Sequence, residues 1–257
     1  MLAMDAHTHL DMEAFAHDLD EVVARATSVG VVGWVIAGAA PNDWGRVLQI
    51  AKHSGGAAIL GIHPWWSSLS EEELADTLQS LAAQLTQHGL GELGLDRLHA
   101  EDESAWRQQH DVFEAQLTLA VSRDLPVVLH CVKAWPALRR VIERVGLPRS
   151  GGMLHGWTGP VAHAREAVGL GLHVSFGPSV LRSRRAAESL GAVPLHRLLV
   201  ETDCPDRPVG GAPRGEPAHL WRVIEAVAAR QGHTVQTVAQ HTYENTQRLF
   251  RYCSPVR

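Results

Sequence analysis

The amino-acid sequence predicts a (β/α)8 TIM barrel of the α/β class, and three observations carry that prediction. Eight short apolar runs alternate with stretches of helical periodicity, an order that implies a parallel sheet covered by helices. The chain has 257 residues, the usual size of one such barrel, and no linker divides it. The histidines and acids that interrupt the apolar runs fall at their C-terminal ends, where barrels of this kind carry their sites. Residues 1–257 are accordingly read as a single domain.

The first strand covers residues 1–9 and ends on Asp5-Ala6-His7-Thr8-His9. Side chains alternate faces along a strand, so His7 and His9 project together and Thr8 projects away. Taken alone, that pair suits two metal ligands or a solvated edge. A helical pattern at 17–29 places Leu19, Val22, Val23 and Ala26 on one side and stops at Gly30. The second strand, Val31-Val32-Gly33-Trp34-Val35-Ile36-Ala37, has the continuous apolar character of one buried on both faces. A helix at 42–53 leads to a third strand, Ala57-Ala58-Ile59-Leu60-Gly61-Ile62-His63-Pro64. Ser70, with Glu73 three residues later, forms a capping box that opens a helix to about His88.

The fourth strand surrounds Leu90-Gly91-Glu92-Leu93-Gly94 and is followed by a helix at 103–123. Pro126-Val127-Val128-Leu129-His130-Cys131 is the clearest strand of the chain, and a helix at 134–145 separates it from Gly152-Met153-Leu154-His155. A helix near 160–170 precedes His173-Val174-Ser175-Phe176-Gly177. One near 181–191 precedes Arg197-Leu198-Leu199-Val200-Glu201-Thr202-Asp203, and helices at 217–231 and 234–251 close the chain.

Composition narrows the function classes. Apolar residues make up 45%, enough for a sizeable core. The net charge of -5 means that any nucleic-acid contact is local rather than the work of a basic domain. Sixteen histidines favour metal chemistry or pH-sensitive sites. Cys131, Cys204 and Cys253 form no CxxC pair, and their odd number suits a reducing compartment. With no secretory-type N-terminus and no apolar run of membrane-spanning length, a cytoplasmic protein without membrane contact is expected.

The polar residues at strand ends are His7 and His9, His63, Glu92, His130, His155 and Asp203. The strands of a barrel open on one face, so these groups converge on one central site. Buried without partners, each would cost several kcal/mol in lost hydration, roughly the penalty for isolated polar and charged groups. A shared metal removes that cost.

The ordered motifs resemble the TatD family of metal-dependent hydrolases. They are Asp5-Ala6-His7-Thr8-His9, Gly61-Ile62-His63-Pro64, Gly91-Glu92-Leu93-Gly94-Leu95-Asp96, Pro126-Val127-Val128-Leu129-His130, His155-Gly156-Trp157-Thr158-Gly159 and Glu201-Thr202-Asp203-Cys204-Pro205. Tyr243-Glu244-Asn245-Thr246-Gln247-Arg248-Leu249-Phe250 is similar to the family's C-terminal signature. The resemblance spans essentially the whole chain. It implies a distorted TIM barrel with two divalent cations, of which magnesium, manganese and zinc are candidates, and a deoxyribonuclease acting on 3′ ends or single strands of DNA. It also implies the ligands: His7, His9 and Asp203 for the first cation, His130 and His155 for the second, and Glu92 bridging the two. Two cations about 3.5–4 Å apart activate a water, polarise a phosphoryl oxygen and stabilise the leaving alkoxide. Asp203 is both a ligand and the candidate acceptor of the water's proton.

Substrate contacts are assigned to His63, Glu201, Lys133, Trp157, Arg182 and Arg214. His63 can touch a phosphate, donate a proton, support a ligand or simply cap the turn at Pro64. Glu201, two residues before Asp203, is a further ligand or a supporting carboxylate if the strand persists. Trp65, Trp66, Trp135 and Trp157 follow strand ends, either as stacking platforms for single-stranded bases or as the packed roof of the site. Arg182, Arg184 and Arg185 follow strand seven, and Arg207 and Arg214 follow strand eight, as candidate phosphate contacts. Cys131 and Cys204 adjoin ligands but are expected to point away as small packing residues.

Two departures from the family pattern bear on substrate. The family's basic residue two places after the strand-five histidine is replaced by Val132, with Lys133 next, and Arg214-Gly215-Glu216-Pro217 is shortened. The first leaves open a hydrolase of esters, lactones or amides, including D-aminoacyl-tRNA deacylation, because the same centre attacks carbonyls. A non-catalytic barrel working inside a complex is the rival of another class, and the complete ligand set argues against it.

Overall fold

The apolar runs form strands in a computed structural model that describes residues 1–252, so that Cys253 lies outside the described residues. The strands are β1 (Ala3–Thr8), β2 (Val31–Gly38), β3 (Ala57–Leu60), β4 (Leu90–Asp96), β5 (Val127–Val132), β6 (Gly152–Leu154), β7 (His173–Phe176) and β8 (Leu198–Val200). They make one sheet in sequence order, every neighbouring pair parallel. Between and after them run α1 (Leu19–Ser28), α2 (Trp44–Ser54), α3 (Glu71–Gln84), α4 (Glu103–Arg123), α5 (Trp135–Val145), α6 (Val161–Gly169), α7 (Arg184–Leu190), α8 (Leu220–Gln231) and α9 (Val235–Phe250). The fold class read from the sequence is thus the one observed.

Two apolar layers hold the barrel. The larger joins the outward faces of the strands to the helices, with Trp44, Phe113, Leu138 and Leu220 fully or almost fully buried in it. The smaller gathers Met4, Val35, Ile59, Val128, Met153 and Leu199 with Leu249, Phe250 and Tyr252 around the end of α9. Side chains from strands that are not neighbours meet only inside a barrel, so this second cluster is its interior, plugged from below by α9. His130 and Glu201 follow Val128 and Leu199 by two residues and so continue the inward face upward from apolar core to polar mouth.

The eight strands nearly close. At the seam, β8 meets β1 through loop bonds: Asp203 N–H donates to His7 O at 3.1 Å and His9 N–H to Cys204 O at 2.9 Å. The buried Asp5 carboxylate adds two more, accepting from Thr202 N at 2.9 Å and Thr202 Oγ1 at 2.5 Å.

Several boundaries differ from the sequence reading. β3 stops at Leu60, and His63 instead caps the turn Pro64–Trp66, its Nδ1 accepting from Trp65 N at 3.2 Å. β8 stops at Val200, so Glu201 and Asp203 sit in a loop rather than on a continuing strand. α3 keeps its capping box but ends at Gln84, short of His88, because Thr86 is drawn to the sheet, donating to Ala58 O at 2.6 Å. α7 begins at Arg184, since Pro178–Leu181 forms a separate 3-10 turn. Among the described residues no helix is long and apolar enough to cross a membrane.

Candidate metal centre

Glu92 sits at the middle of the barrel mouth, buried, with each carboxylate oxygen turned to a different pair of histidines. Its Oε1 lies 3.5 Å from His7 Nε2 and 3.4 Å from His9 Nε2, and those two nitrogens are 3.3 Å from each other. Asp203 Oδ1 joins this side at 3.8 Å from His7 Nε2 and 3.6 Å from His9 Nε2. Glu92 Oε2 faces the other pair, 3.6 Å from His130 Nδ1 and 2.7 Å from His155 Nε2, with the two nitrogens 3.2 Å apart. The six residues that the sequence singled out as ligands are therefore brought together.

Oxygen acceptors stand behind three of the rings. His9 Nδ1 lies 3.0 Å from Ala37 O, which leaves its Nε2 free to act as an acceptor. His155 Nδ1 lies 3.6 Å from Oε1 of the fully buried Glu201. His130 Nε2 lies 3.5 Å from Asp96 Oδ2, and that carboxylate is itself fixed by Leu98 N at 2.9 Å, His99 N at 3.2 Å and Trp65 Nε1 at 2.9 Å. Sequence reasoning included Asp96 in a motif without giving it a role. Its period-two spacing from Glu92 along β4 was the signal.

The donor set fits divalent cations. Pairs of ligand atoms around one tetrahedral ion at ~2.0–2.1 Å stand about 3.3–3.5 Å apart, the separations found among His7, His9 and Glu92. Ring nitrogens that face one another so closely, beside buried carboxylate oxygens, suit a shared cation better than a hydrogen bond. His7 Nδ1, Glu92 Oε2, His130 Nε2, His155 Nδ1 and both Glu201 oxygens are buried without a hydrogen-bond partner among the described residues. The 2.7 Å approach of His155 Nε2 to Glu92 Oε2 lacks hydrogen-bond geometry. Four overlapping groups of donors, among them His7, His9 and Asp203, and His63, Glu92 and His130, could each hold an ion.

The electrostatics favour positive charge at this point. Burial pushes Glu92 up, but the attraction of His155 and His7 outweighs it and holds the carboxyl well below the usual range. Burial likewise pushes His155 down, and Glu92 outweighs that to raise the ring well above its ordinary value. His63 is different: burial takes it down to about 3, so it stays neutral although its ring stands 4.2 Å from that of His130.

A cavity of about 340 Å³ opens beside the centre, reaching His130, His155 and Asp203 and rimmed by Lys133, Arg185 and Arg207. Arg207 Nε stands 3.3 Å from Asp203 Oδ2. Trp157 walls this cavity and is buried edge-on to Trp135, 6.1 Å and 73° apart, which fits the packed roof of the site rather than an open stacking platform. Two arginines assigned to substrate are spent elsewhere. Arg214 lies over the Phe15 ring and is tied to Asp18, Glu216 and Ala14 O, while Arg182 donates to Pro208 O at 2.8 Å. Neither lines the cavity, where Arg185 and Arg207 stand in their place. Cys131, expected to point away, lies against the cavity as well as the outer core, and burial pushes its thiol up to about 12. Cys204 is fully buried, as expected.

Comparisons with known proteins place the chain in a family and match its fold. The model of the TatD related DNase family matches residues 4–251. The metal-dependent hydrolase YabD of Bacillus subtilis is 32% identical, over 97% of this chain and 99% of its own. A protein of Klebsiella pneumoniae named 3′-5′ ssDNA/RNA exonuclease TatD is 32% identical over 96% of this chain and 97% of its own. The crystal structure of YjjV, a TatD homolog from Escherichia coli, superposes with a TM-score of 0.88 at 29% identity, covering 98% of both chains.

Proposed function

The chain belongs to the TatD family of metal-dependent hydrolases, enzymes that act on ester bonds, and on that premise we propose that it is a deoxyribonuclease working at the 3′ ends of single strands. The observation that carries the reading is the division of Glu92, each of whose oxygens serves its own pair of histidines. In the proposed centre, within one hydrolase domain, His7, His9 and Asp203 would hold one divalent cation and His130 and His155 a second, with Glu92 a ligand available to both. When bound, such ions would supply Lewis acidity toward a phosphoryl oxygen and make water a usable nucleophile near neutral pH.

The chain's own groups do the rest. Asp203 accepts the proton of the attacking water, while Arg207 at 3.3 Å keeps its Oδ2 oriented. Lys133, Arg185 and Arg207 on the cavity rim receive the phosphates. Glu201 and Asp96 stand behind the rings of His155 and His130, where their charge makes those rings more basic ligands. The setting is the cytoplasm, whose reducing conditions suit an odd number of cysteines without a CxxC pair.

The decisive experiment joins metal analysis to a reactivation screen. Chelated protein, reloaded with zinc, manganese or magnesium, takes up two ions per chain and shortens a 5′-labelled single-stranded oligonucleotide from its 3′ end. Glu92→Ala and Asp203→Ala abolish that shortening. Full activity in either variant overturns the assignment. Turnover of esters or lactones with no cleavage of DNA favours the carbonyl hydrolase, the alternative raised by Val132 standing where the family carries a basic residue.

A further inference from the structure

Trp65 follows His63 and Pro64 in the turn after β3 and is 55% exposed. An exposed indole is ordinary at a protein surface, but this one is held on several sides. Its Nε1–H donates to Asp96 Oδ2 at 2.9 Å, its ring stacks on His99 at 5.0 Å and 25°, and it stands T-shaped to the His63 ring at 4.9 Å and 85°. Asp96 holds both layers of that stack, since its Oδ1 accepts the backbone N–H groups of Leu98 and His99. The same Asp96 Oδ2 that takes the indole proton stands 3.5 Å from His130 Nε2. A single imidazole, His63, separates the indole from the ring of His130.

We propose that Trp65 is the stacking platform for a nucleobase beside the scissile phosphate, registered to the metal centre through Asp96. The proposal rests on the nuclease reading given above. The basic rim of Lys133, Arg185 and Arg207 lies on the β5, β7 and β8 side of the centre, and Trp65 lies on the β3 and β4 side. A strand with one phosphate at the centre therefore passes from cations to an aromatic face, the pairing that holds single-stranded nucleic acid without sequence preference. Trp157 and Trp135 are buried against one another and cannot serve in this way. Because Trp65 and His130 share one carboxylate, a base seated on the indole sets where the neighbouring phosphate falls.

The test compares wild type, Trp65→Ala and Trp65→Phe, using fluorescence anisotropy of 5′-fluorescein oligothymidylate in EDTA and the KM for its cleavage after metal loading. A matched oligonucleotide with abasic residues at its 3′ end serves as the second arm, and circular dichroism checks folding. Trp65→Ala weakens binding of the intact strand by about 5- to 150-fold, the range for loss of one base–aromatic stack. Trp65→Phe keeps a ring and recovers most of that loss. Removing the bases weakens the wild-type complex by a similar factor, and combining both changes adds little. Tight binding by a folded Trp65→Ala protein, or equal sensitivity of intact and abasic strands to the change, overturns the proposal. So does a wild type that binds no oligonucleotide. Trp65-dependent binding without cleavage overturns the nuclease reading alone, and cleavage indifferent to Trp65 overturns the stacking alone.

Discussion

Glu201 shows how a single residue supports the centre without facing the cavity. It is fully buried, neither oxygen has a hydrogen-bond partner among the described residues, and His155 Nδ1 stands 3.6 Å away. A carboxylate behind a ligating histidine sets the ring's tautomer and raises its basicity. Glu201→Gln keeps the shape and removes the charge, and should lower affinity for the proposed second cation by about 10- to 100-fold. Isothermal titration calorimetry with zinc or manganese reads this directly, and two unchanged binding steps would refute it. Residues of this kind were unevenly legible in the sequence. Those that end strands, His130 and His155, announce themselves because an apolar run cannot otherwise explain them. Asp5 does not, because its partner Thr202 lies at the other end of the chain and meets it only when the barrel closes. The charged residues were hardest to place. Arg214 and Lys133 look alike in sequence, yet one is consumed by Asp18 and Glu216 and the other stays exposed at the cavity.

Among the elements, β4 and its neighbours decide how accurately the donor atoms meet. Gly94 has φ +147°, and a Cβ there would come within 2.1 Å of His130 O. β4 can thus approach β5 closely enough to set Glu92 beside His130 only while this position lacks a side chain. Gly94→Ala forces the two strands apart and should weaken both stability and metal uptake. Gly45 gives the contrast, since it is exposed in α2 and a Cβ there meets nothing within 4 Å. Gly45→Ala should stabilise the fold by about 0.4–1 kcal/mol with metal uptake unchanged. Urea melts paired with metal analysis separate the two, and equal effects on stability would disprove the packing argument. Close backbone approach leaves no periodic signal, so this constraint could not be read from the chain. Helix boundaries set by local chemistry could, as the capping box of Ser70 and Glu73 and the limits of α4 demonstrate. β3 and β8 were drawn too long, because hydrophobic pattern does not show where a strand loses its neighbour and turns to build the mouth.

For the molecule as a whole, electrostatics must reconcile a net charge of -5 with the nucleic-acid substrate proposed above. Long-range attraction cannot supply the affinity, so it has to come from cations placed at the cavity and from the metal centre. Many of the arginines are already neutralised elsewhere: Arg25 by Asp18 and Glu216, Arg139 by Glu143 and Glu166, Arg144 by Glu114. Lys133, Arg185 and Arg207 remain on the rim, with Arg207 shared with Asp203. Single-strand binding through Z phosphate contacts weakens with a log–log salt slope of about −0.7Z, so three contacts give a slope of about −2. Oligothymidylate binding in EDTA, titrated with potassium chloride, should show that shallow dependence. Lys133→Met should make it shallower by about 0.7 and weaken binding to all sequences alike. A wild-type slope steeper than about −4 would require more phosphate contacts than this rim offers. The strand would then have to run over another surface, and the barrel mouth would lose its claim to be where nucleic acid is held.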